Sequence, residues 1–463
     1  MDLAIRKASS ALLLTLSLSA SAYTHAALPE SRAAQKEARV TLQKAQIAYR
    51  SGNYAAALKE FRLLASKDDA AGQAGLALMY EQGVGVPKDY KLAGLWYRKA
   101  ADLGNVQAQL RLGELYREGR GVRKDAKESV MWLRKAAGQD NAEAQFSLAQ
   151  MLGQGQGIAK DPREAAVWYR KAAERGNIKA QAVLAQIYAQ GQGVEKDKKE
   201  AAKWHDKVAE RGDAAQQLKL GQMYAKGDGV PLDAKAALIW YRKAADKGSA
   251  AAQYLLGQMH ASGQGVTQDD KEALAWNLKA AEQGYAAAQF KLGLQYAEGK
   301  GMKQDYKQAA EWYLKAAQRG SAVAQAKLGV LYANGQGVPQ DYKEAVKWYR
   351  KAAEHGDATA QNNLGVRYVN GQGVPQDYKR AAEWYLKAAE QGNAPAQMNL
   401  GLLYNNGQGV PADPVQAHKW LNLAAAGGVK GAQERKRELE SGMVSKQVEE
   451  AQALAREWAE RHK

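Results

Sequence analysis

SAVAQAKLGVLYANGQGVPQDYKEAVKWYRKAAEHG, residues 321–356, is one copy of a 36-residue pattern that fills most of the chain. The tryptophans reveal the period, because ten of them follow one another at a constant interval of 36 residues. They are Trp96, Trp132, Trp168, Trp204, Trp240, Trp276, Trp312, Trp348, Trp384 and Trp420. This spacing divides residues 69–428 into ten repeats without insertion, numbered 1 to 10 from the N-terminal side, so that the quoted copy is repeat 8. A fixed period of this length is the signature of a repeat array.

The first half of the copy predicts a short helix over about residues 322–333. Leu328 and Tyr332 lie four residues apart and therefore share one helix face. Ser321 is a suitable N-cap, because its hydroxyl oxygen can accept a backbone N–H of the first turn. The Gly-x-Gly that starts at Gly335 occurs in all ten repeats. Glycine adopts the left-handed conformation at little cost, so this sequence is expected to end the helix.

The second half of the copy predicts a second helix that begins after Asp341. An aspartate stands at this place in all ten repeats and is a second N-cap. Glu344, three residues later, predicts a capping box, in which each side chain accepts the other residue's backbone N–H. Trp348 and Ala352 share the apolar face of this helix. Gly356 is expected to turn the chain into the next repeat.

Two helices of this length cannot bury their apolar faces alone, so neighbouring repeats must stack on one another. The ten repeated tryptophans are predicted to form the structural core. Small residues such as Gly329 and Ala352 leave room beside them for a neighbouring backbone. The predicted fold class is all-α: a right-handed superhelical α-solenoid of helix–turn–helix repeats.

The string AQ-x-x-LG-x-x-Y-x-x-G-x-GV-x-x-D-x-x-x-A-x-x-WY-x-KAA-x-x-G resembles the Sel1-like repeat, a relative of the tetratricopeptide repeat. The resemblance covers residues 69–428 and implies an array of Sel1-like helix pairs. Members of this family commonly act as adaptors, so the resemblance also implies a function in protein–protein interaction. Four local departures predict looser single repeats within an intact array. They are Leu152 and His260 in place of Tyr, Asp140 in place of the closing Gly, and Asn277 in place of the Tyr after Trp.

The sequence on either side of the repeats predicts two caps and an export signal. Residues 27–68 resemble a tetratricopeptide helix pair, and residues 429–463 predict one amphipathic C-terminal capping helix. Residues 1–26 combine a positive start, an apolar run and small residues, which is the pattern of a secretory signal peptide. No other apolar stretch is long enough to span a bilayer. We expect an exported protein, in the periplasm first and secreted or at the cell surface second.

The composition argues against catalysis, metal binding and cofactor binding. The chain has no Cys, and its six His residues are scattered without metal-ligand spacing. The Gly-x-Gly loops lack the pattern of a phosphate-binding loop, and no Ser-x-x-Lys acylation motif occurs. We therefore predict no catalytic residue, no metal site and no cofactor. A hydrolase of the β-lactamase type is the least favoured function.

The formal net charge of +17 has a repeated component. Lys stands late in the second helix of nine of the ten repeats, where a cation complements the negative end of the helix dipole. A nucleic-acid partner is not expected, because the aromatic residues occupy core positions instead of alternating with basic ones on the surface. An anionic polymer of the cell envelope is an alternative partner.

Positions that vary among otherwise equal repeats are the candidates for partner recognition. One such position is the second residue after the shared Gln of the first helix, and in tetratricopeptide arrays the first helices line the concave side. The candidate partner-binding residues there are Arg111, Lys219, Lys291, Lys327, Asn363 and Asn399. An uncharged patch joins them in the last repeats, at Asn362, Asn370, Asn405 and Asn406. Ordinary solvated surface is the alternative interpretation of these positions.

The predicted function is a non-catalytic exported scaffold that mediates protein–protein interaction in the bacterial envelope, with a protein partner of unknown identity. The C-terminal segment with Met443, Lys446, Gln447 and Ala451 is similar to that of exported family members of enteric bacteria that bind immunoglobulin A. This similarity implies host secretory immunoglobulin A, or another host protein, as an alternative partner. A scaffold in a polysaccharide pathway is a further alternative.

Overall fold

The computed structural model describes residues 32–462, in which the regular elements are helices and no β-strand occurs. Each repeat consists of a helix pair joined by the Gly-x-Gly loop, so the predicted all-α class and helix–turn–helix repeat are confirmed. The signal peptide predicted for residues 1–26 lies outside the described residues. The helices are α1 (Arg32–Arg50), α2 (Tyr54–Ser66), α3 (Ala70–Gln82), α4 (Tyr90–Asp102), α5 (Val106–Glu118), α6 (Ala126–Gly138), α7 (Ala142–Gln154), α8 (Pro162–Glu174), α9 (Ile178–Gln190), α10 (Lys198–Glu210), α11 (Ala214–Lys226), α12 (Ala234–Asp246), α13 (Ala250–Ser262), α14 (Asp270–Glu282), α15 (Ala286–Glu298), α16 (Tyr306–Gln318), α17 (Ala322–Asn334), α18 (Tyr342–Glu354), α19 (Ala358–Asn370), α20 (Tyr378–Glu390), α21 (Ala394–Asn406), α22 (Pro414–Ala426), α23 (Ala432–Glu440) and α24 (Ser445–Arg461).

The described residues belong to two compact units. One unit contains residues 32–212 and 226–232, and the other contains residues 213–225 and 233–462. In the first unit, each helix from α1 to α10 packs on the next helix along the chain. In the second unit, the same neighbour-on-neighbour packing runs from α12 to α22, and α23 and α24 both pack on α22.

Side-chain caps begin the helices as the sequence predicts. Ser321 Oγ accepts the N–H of Ala324 at 3.3 Å and so caps α17. Gly335 ends that helix in the left-handed conformation, with φ of 67°. Tyr285 stands where repeat 7 would have its capping residue and accepts no such hydrogen bond. Its ring instead lies 5.4 Å from the ring of Tyr254.

The second helix of each repeat begins differently from the prediction. Asp341 accepts the N–H groups of Lys343 and Glu344 at 2.8 and 3.0 Å, as an N-cap should. Its own backbone N–H, however, donates to the carbonyl of Tyr332 at 2.9 Å, and the equivalent bond occurs in all ten repeats. Glu344 cannot use a donor that is already bonded, and it pairs with Lys347 Nζ at 3.0 Å instead. The predicted capping box is therefore wrong in its second half.

A buried glutamine connects neighbouring repeats. In repeat 8, Gln325 Nε2 donates to the carbonyl of Ala317, in the preceding second helix, at 3.1 Å. Repeats 2, 3, 4, 6, 7, 9 and 10 contain the equivalent bond, at 3.0–3.3 Å. Each such bond contributes about 0.5–1.5 kcal/mol net, and its loss would leave a buried polar group unsatisfied. The glutamine thus fixes where each repeat lies on the one before it.

The repeated aromatic residues lie at or near the core. Seven of the ten tryptophans are buried: Trp132, Trp204, Trp240, Trp276, Trp312, Trp348 and Trp420. The other three, Trp96, Trp168 and Trp384, are half-buried. The tyrosine that follows Trp348 is more deeply placed, since Tyr349 is only 2% exposed. Its ring lies against Gly329, where an added Cβ would come within 2.7 Å of it. Glycine is therefore required there for the close approach of the two helices.

The recurrent lysine of the second helix has a role that the sequence analysis did not predict. In all nine repeats that contain it, the Nζ atom lies over the ring of the tryptophan three residues earlier. The distances from Nζ to the ring centroid run from 3.7 Å for Lys315 to 4.8 Å for Lys351. A cation–π contact of this kind contributes about 0.5–1 kcal/mol at an exposed site. The lysine therefore covers the outward side of the tryptophan as well as the helix end.

Two of the departures from the repeat pattern are compensated by local contacts, and one is not. Asp140 adopts a φ of 64°, which glycine supplies in other repeats, and its carboxylate pairs with Arg175. Asn277, in place of tyrosine, is fully buried and donates from Nδ2 to Gln295 Oε1 at 2.9 Å. His260 is buried, and neither of its ring nitrogens has a hydrogen-bond partner.

Helices at both ends of the array cover its edges. At the N-terminal side, α1 and α2 pack through Tyr49 and Phe61 against repeat 1. The single helix predicted at the C-terminal side is wrong, because the chain turns after α23 and starts α24 at Ser445. Gly442 lies in this turn, where glycine weakens a continuing helix. Trp458 of α24 meets Trp420 edge-on, with ring centroids 6.2 Å apart.

Replacement of Trp348 by Ala should lower the local stability by about 3–5 kcal/mol, because it leaves a cavity at a buried aromatic site. Hydrogen exchange is the suitable measurement, since damage in a stacked array concentrates in one repeat and its neighbours. We expect loss of protection between residues 321 and 392. Lys351→Met is the matched variant; it removes only the cation over the ring and should cost about 0.5–1 kcal/mol. Unchanged protection in Trp348→Ala would refute the core position of this tryptophan.

Candidate partner-binding surface

The six candidate residues occupy equivalent positions on first helices, but their surroundings differ. Lys219 and Lys327 are exposed, whereas Arg111, Lys291, Asn363 and Asn399 are half-buried. We call the outward side of the first helices that carries these residues the first-helix surface. The position alone therefore does not define one uniform binding stripe, and each part of the surface has its own chemistry.

Arg111, in repeat 2, lies between two carboxylates. Its Nη1 donates to Glu114 Oε2 at 2.6 Å, and its Nε lies 3.9 Å from Glu81 Oε2. Tyr97 donates its hydroxyl hydrogen to the same Glu81 oxygen at 2.6 Å. Burial disfavours the charged guanidinium, but the two carboxylates outweigh that effect and raise the pKa of Arg111 above its usual value. The positive charge of Arg111 is therefore balanced within the protein, although its buried Nε has no hydrogen-bond partner.

Lys291, in repeat 7, borders a cavity of about 490 Å³ in the second unit. Tyr241, Leu255, Met259 and Leu294 contribute its apolar wall. Its charged lining residues are of both signs: Lys291 and Lys300 against Asp270 and Glu298. The cavity has room for a side chain of a partner, and its balanced charges favour neither an acidic nor a basic one.

Asn363 and Asn399 belong to a chain of amides that crosses from repeat 9 to repeat 10. Asn399 Nδ2 donates to Asn362 Oδ1 at 2.9 Å, and Asn362 Nδ2 donates to Asn363 Oδ1 at 3.4 Å. Asn363 also bonds the hydroxyl of Tyr349, in repeat 8. Burial raises the pKa of Tyr349 to about 12, against the opposing influence of Arg367 and of the bond from Asn363. Asn362, Asn363 and Asn399 are thus joined by hydrogen bonds, whereas Asn405, which was predicted in the same patch, donates to Asn406 instead.

Arg367 is a member of this surface that the sequence analysis missed. Its Nη1 donates to Gln372 Oε1 at 2.6 Å, and its guanidinium carbon lies 5.3 Å from the ring centroid of Tyr342. Among residues 32–462, no carboxylate lies within 4.0 Å of it. The signal for it was present in the sequence. Arg367 stands ten residues after the first residue of its repeat. The equivalent position is Leu, Met or Ile in eight repeats and Gln295 in repeat 7, so only repeat 9 has a charged residue there.

Across residues 32–462, no group of three or more His, Cys, Asp or Glu side chains is arranged to hold a metal ion. The same part of the chain contains no helix that is long and apolar enough to cross a bilayer.

The helix pairs and the variable first-helix surface together define a helical-repeat protein of the kind that serves as an interaction scaffold. The particular family follows from comparison with known proteins. The Sel1 repeat family model matches residues 70–105, 106–141, 142–177, 178–213, 217–249, 250–285, 286–321, 322–357, 358–393 and 394–429, so the chain belongs to the Sel1 repeat family. Proteins with this fold generally mediate protein–protein interaction and are non-catalytic.

Two solved structures are similar over long stretches. One is a protective antigen present in uropathogenic Escherichia coli strains that displays a Sel1-like repeat fold; it is 37% identical over 93% of both chains, with a TM-score of 0.62. The other is a Sel1 repeat protein from Oxalobacter formigenes, 38% identical over 67% of this chain and 89% of that chain, with a TM-score of 0.57. A comparison with curated proteins gave no significant match.

Two arginine substitutions should differ in their effect on stability, because one arginine of the first-helix surface is paired with carboxylates and the other is not. Arg111→Met leaves Glu81 and Glu114 without their cation and should lower the free energy of unfolding by about 1–3 kcal/mol. These groups keep some solvent contact, so the loss should be smaller than for a fully buried pair. Arg367→Met leaves no carboxylate unpaired and should cost less than about 1 kcal/mol. Urea unfolding measures both; equal losses would contradict the difference in pairing.

Proposed function

We propose that the protein is an exported, non-catalytic scaffold that binds a partner protein along the first-helix surface of its second unit. One observation carries the proposal. The repeated residues are used for packing, capping and cation–π contacts, whereas this surface presents side chains that change from repeat to repeat. Lys327, the cavity beside Lys291 and the amide network at Asn363 are all of this changing kind.

Export is supported by the sequence pattern of residues 1–26 and by one relative. The similar Escherichia coli protein is a protective antigen, so it is recognised by a host immune response. A host protein is therefore the second candidate partner, after a protein of the bacterial envelope. The C-terminal segment around Met443, similar to that of immunoglobulin-A-binding family members, makes host secretory immunoglobulin A the host protein to test first.

Site-specific photo-crosslinking tests the binding surface. A crosslinking amino acid at position 323 or 327, both exposed on α17, should capture a partner from an envelope extract or from secretory immunoglobulin A. The matched controls carry it at position 343 or 379, which are exposed on the second helices α18 and α20. Single surface changes usually alter stability by less than about 0.5 kcal/mol, so all four variants should fold. Crosslinked products that form equally at the control positions would show that the partner does not bind specifically to the first-helix surface.

Export is tested by the N-terminus of the mature protein. Full-length chain expressed with a C-terminal tag in a Gram-negative host should reach the periplasm and begin near Ala27. Replacement of Leu13 and Leu14 by Arg interrupts the apolar run and should keep the protein in the cytoplasm with its original N-terminus. Protein that starts at Met1 in the periplasmic fraction would contradict a cleaved signal.

A further inference from the structure

We propose that the first-helix surface of repeats 8 to 10 binds an acidic segment of an extended polypeptide, with Arg367 as its anchoring cation. This inference rests on the proposed function and specifies the chemistry of the partner. The surface is formed by α17, α19 and α21 and by the loops that follow them. Its occupant is a peptide in which carboxylates alternate with aliphatic side chains.

The charge of this surface is positive and its cations are few. Residues 321–340, 357–376 and 393–412 contain two basic residues, Lys327 and Arg367, and one acidic residue, Asp357. Asp357 is an N-cap whose carboxylate accepts the N–H of Ala360 at 2.7 Å. No free carboxylate therefore belongs to these three segments, and a partner that brings carboxylates meets no repulsion from them.

Arg367 has the hydrogen-bonding capacity to hold a carboxylate. A guanidinium has five N–H donors, and one of those of Arg367 is bonded to Gln372. Its Nε is buried without a hydrogen-bond partner. Because the side chain as a whole is only half-buried, its remaining Nη donors are available for charge-assisted bonds to an incoming carboxylate. Arg111 is the internal comparison: its Nε is likewise buried without a hydrogen-bond partner, but Glu81 and Glu114 already lie 3.9 and 2.6 Å from its guanidinium.

The neighbouring side chains favour a polypeptide over an acidic polysaccharide. The amides of Asn362, Asn363 and Asn399 offer both donors and acceptors, as a peptide backbone requires. The half-buried Val330 and Val366 lie on the same helix faces and provide contacts for aliphatic side chains. Tyr349 and Tyr385 are buried, and the guanidinium of Arg367 lies over one face of the Tyr342 ring. The two buried rings therefore offer no open face on which a sugar could stack.

The side chains of this surface are already ordered by hydrogen bonds within the protein before a partner binds. Asn399, Asn362 and Asn363 are bonded to one another, and Gln372 orients the guanidinium of Arg367. Side chains that are already ordered lose less conformational entropy on binding, which favours affinity. A short peptide should therefore bind measurably without the rest of its parent protein.

Fluorescence anisotropy with defined peptides tests the proposal on the full mature chain. The probe is a short fluorescein-labelled peptide of alternating glutamate and valine, and its control has glutamine in place of glutamate. We expect the acidic peptide to bind at least about tenfold more tightly than the control, and added salt to weaken it. Arg367→Gln should weaken the acidic peptide by more than about tenfold, because it removes the charged half of the contact.

Lys379→Gln is the matched variant, since it removes the same charge from an exposed position on the second helix of the same repeat. It should leave the affinity within about twofold. Thermal melting confirms that each variant folds, and the exposed Lys327→Gln, with an expected weakening of severalfold, serves if Arg367→Gln does not fold. An equal loss in Lys379→Gln would show diffuse attraction to a basic protein and overturn the site.

Two further outcomes would also overturn the proposal. One is equal binding of the glutamate and glutamine peptides. The other is tighter binding of polygalacturonate, an acidic polysaccharide, that Arg367→Gln weakens in the same way. Either result would leave the scaffold function standing if crosslinks still form at positions 323 and 327. Loss of those crosslinks together with peptide binding would refute both.

Discussion

The bond from the backbone N–H of the second-helix aspartate to the carbonyl at the end of the first helix determines how each repeat is built. In repeat 8 it joins Asp341 to Tyr332 at 2.9 Å, and it recurs in all ten repeats. It closes the Gly-x-Gly loop and fixes the two helices against each other. Gly329 then meets Tyr349, and the second helix presents Trp348 to the neighbouring repeat. Because the bond uses backbone atoms, it persists where Leu152 or His260 replaces the tyrosine that supplies the carbonyl in the other eight repeats.

A second interaction carries this geometry from repeat to repeat. The buried Gln325 reaches the carbonyl of Ala317 in the preceding second helix, so that each repeat is placed by the one before it. Within each unit, the order of the repeats along the chain is therefore also the order of their first helices along the first-helix surface. Equivalent residues of successive repeats lie on successive first helices, and their side chains meet across repeat boundaries. The bond between Asn399 and Asn362 is one such meeting.

Much of the fold could be predicted from the sequence because it depends on period and local capping. The constant spacing of tryptophan defines the repeats, and the caps at Ser321 and Asp341 define where helices begin. The capping-box prediction was wrong because the backbone N–H of Asp341, which the local rule pairs with Glu344, donates to the carbonyl of Tyr332 instead. The cation–π role of Lys351 was missed for a related reason. A helix-dipole argument already accounted for its position, and which ring it covers depends on side-chain rotamers.

The candidate surface was predictable in place but not in chemistry. Arg111 and Lys327 stand at the same position of their repeats, yet one is enclosed by two carboxylates and the other is exposed. The difference comes from the neighbouring repeat, where Glu81 supplies a charge that repeat 7 does not place against Lys327. Partner specificity in such an array therefore depends on pairs of adjacent repeats, because a side chain is available to a ligand only where its neighbour leaves it unpaired. Arg367 meets that condition: its position is apolar in most repeats, so the neighbouring helices have no counter-charge in place for it. The unpaired state matters as much as the departure itself, because Gln295, the other polar residue at this position, is buried and bonded to Asn277.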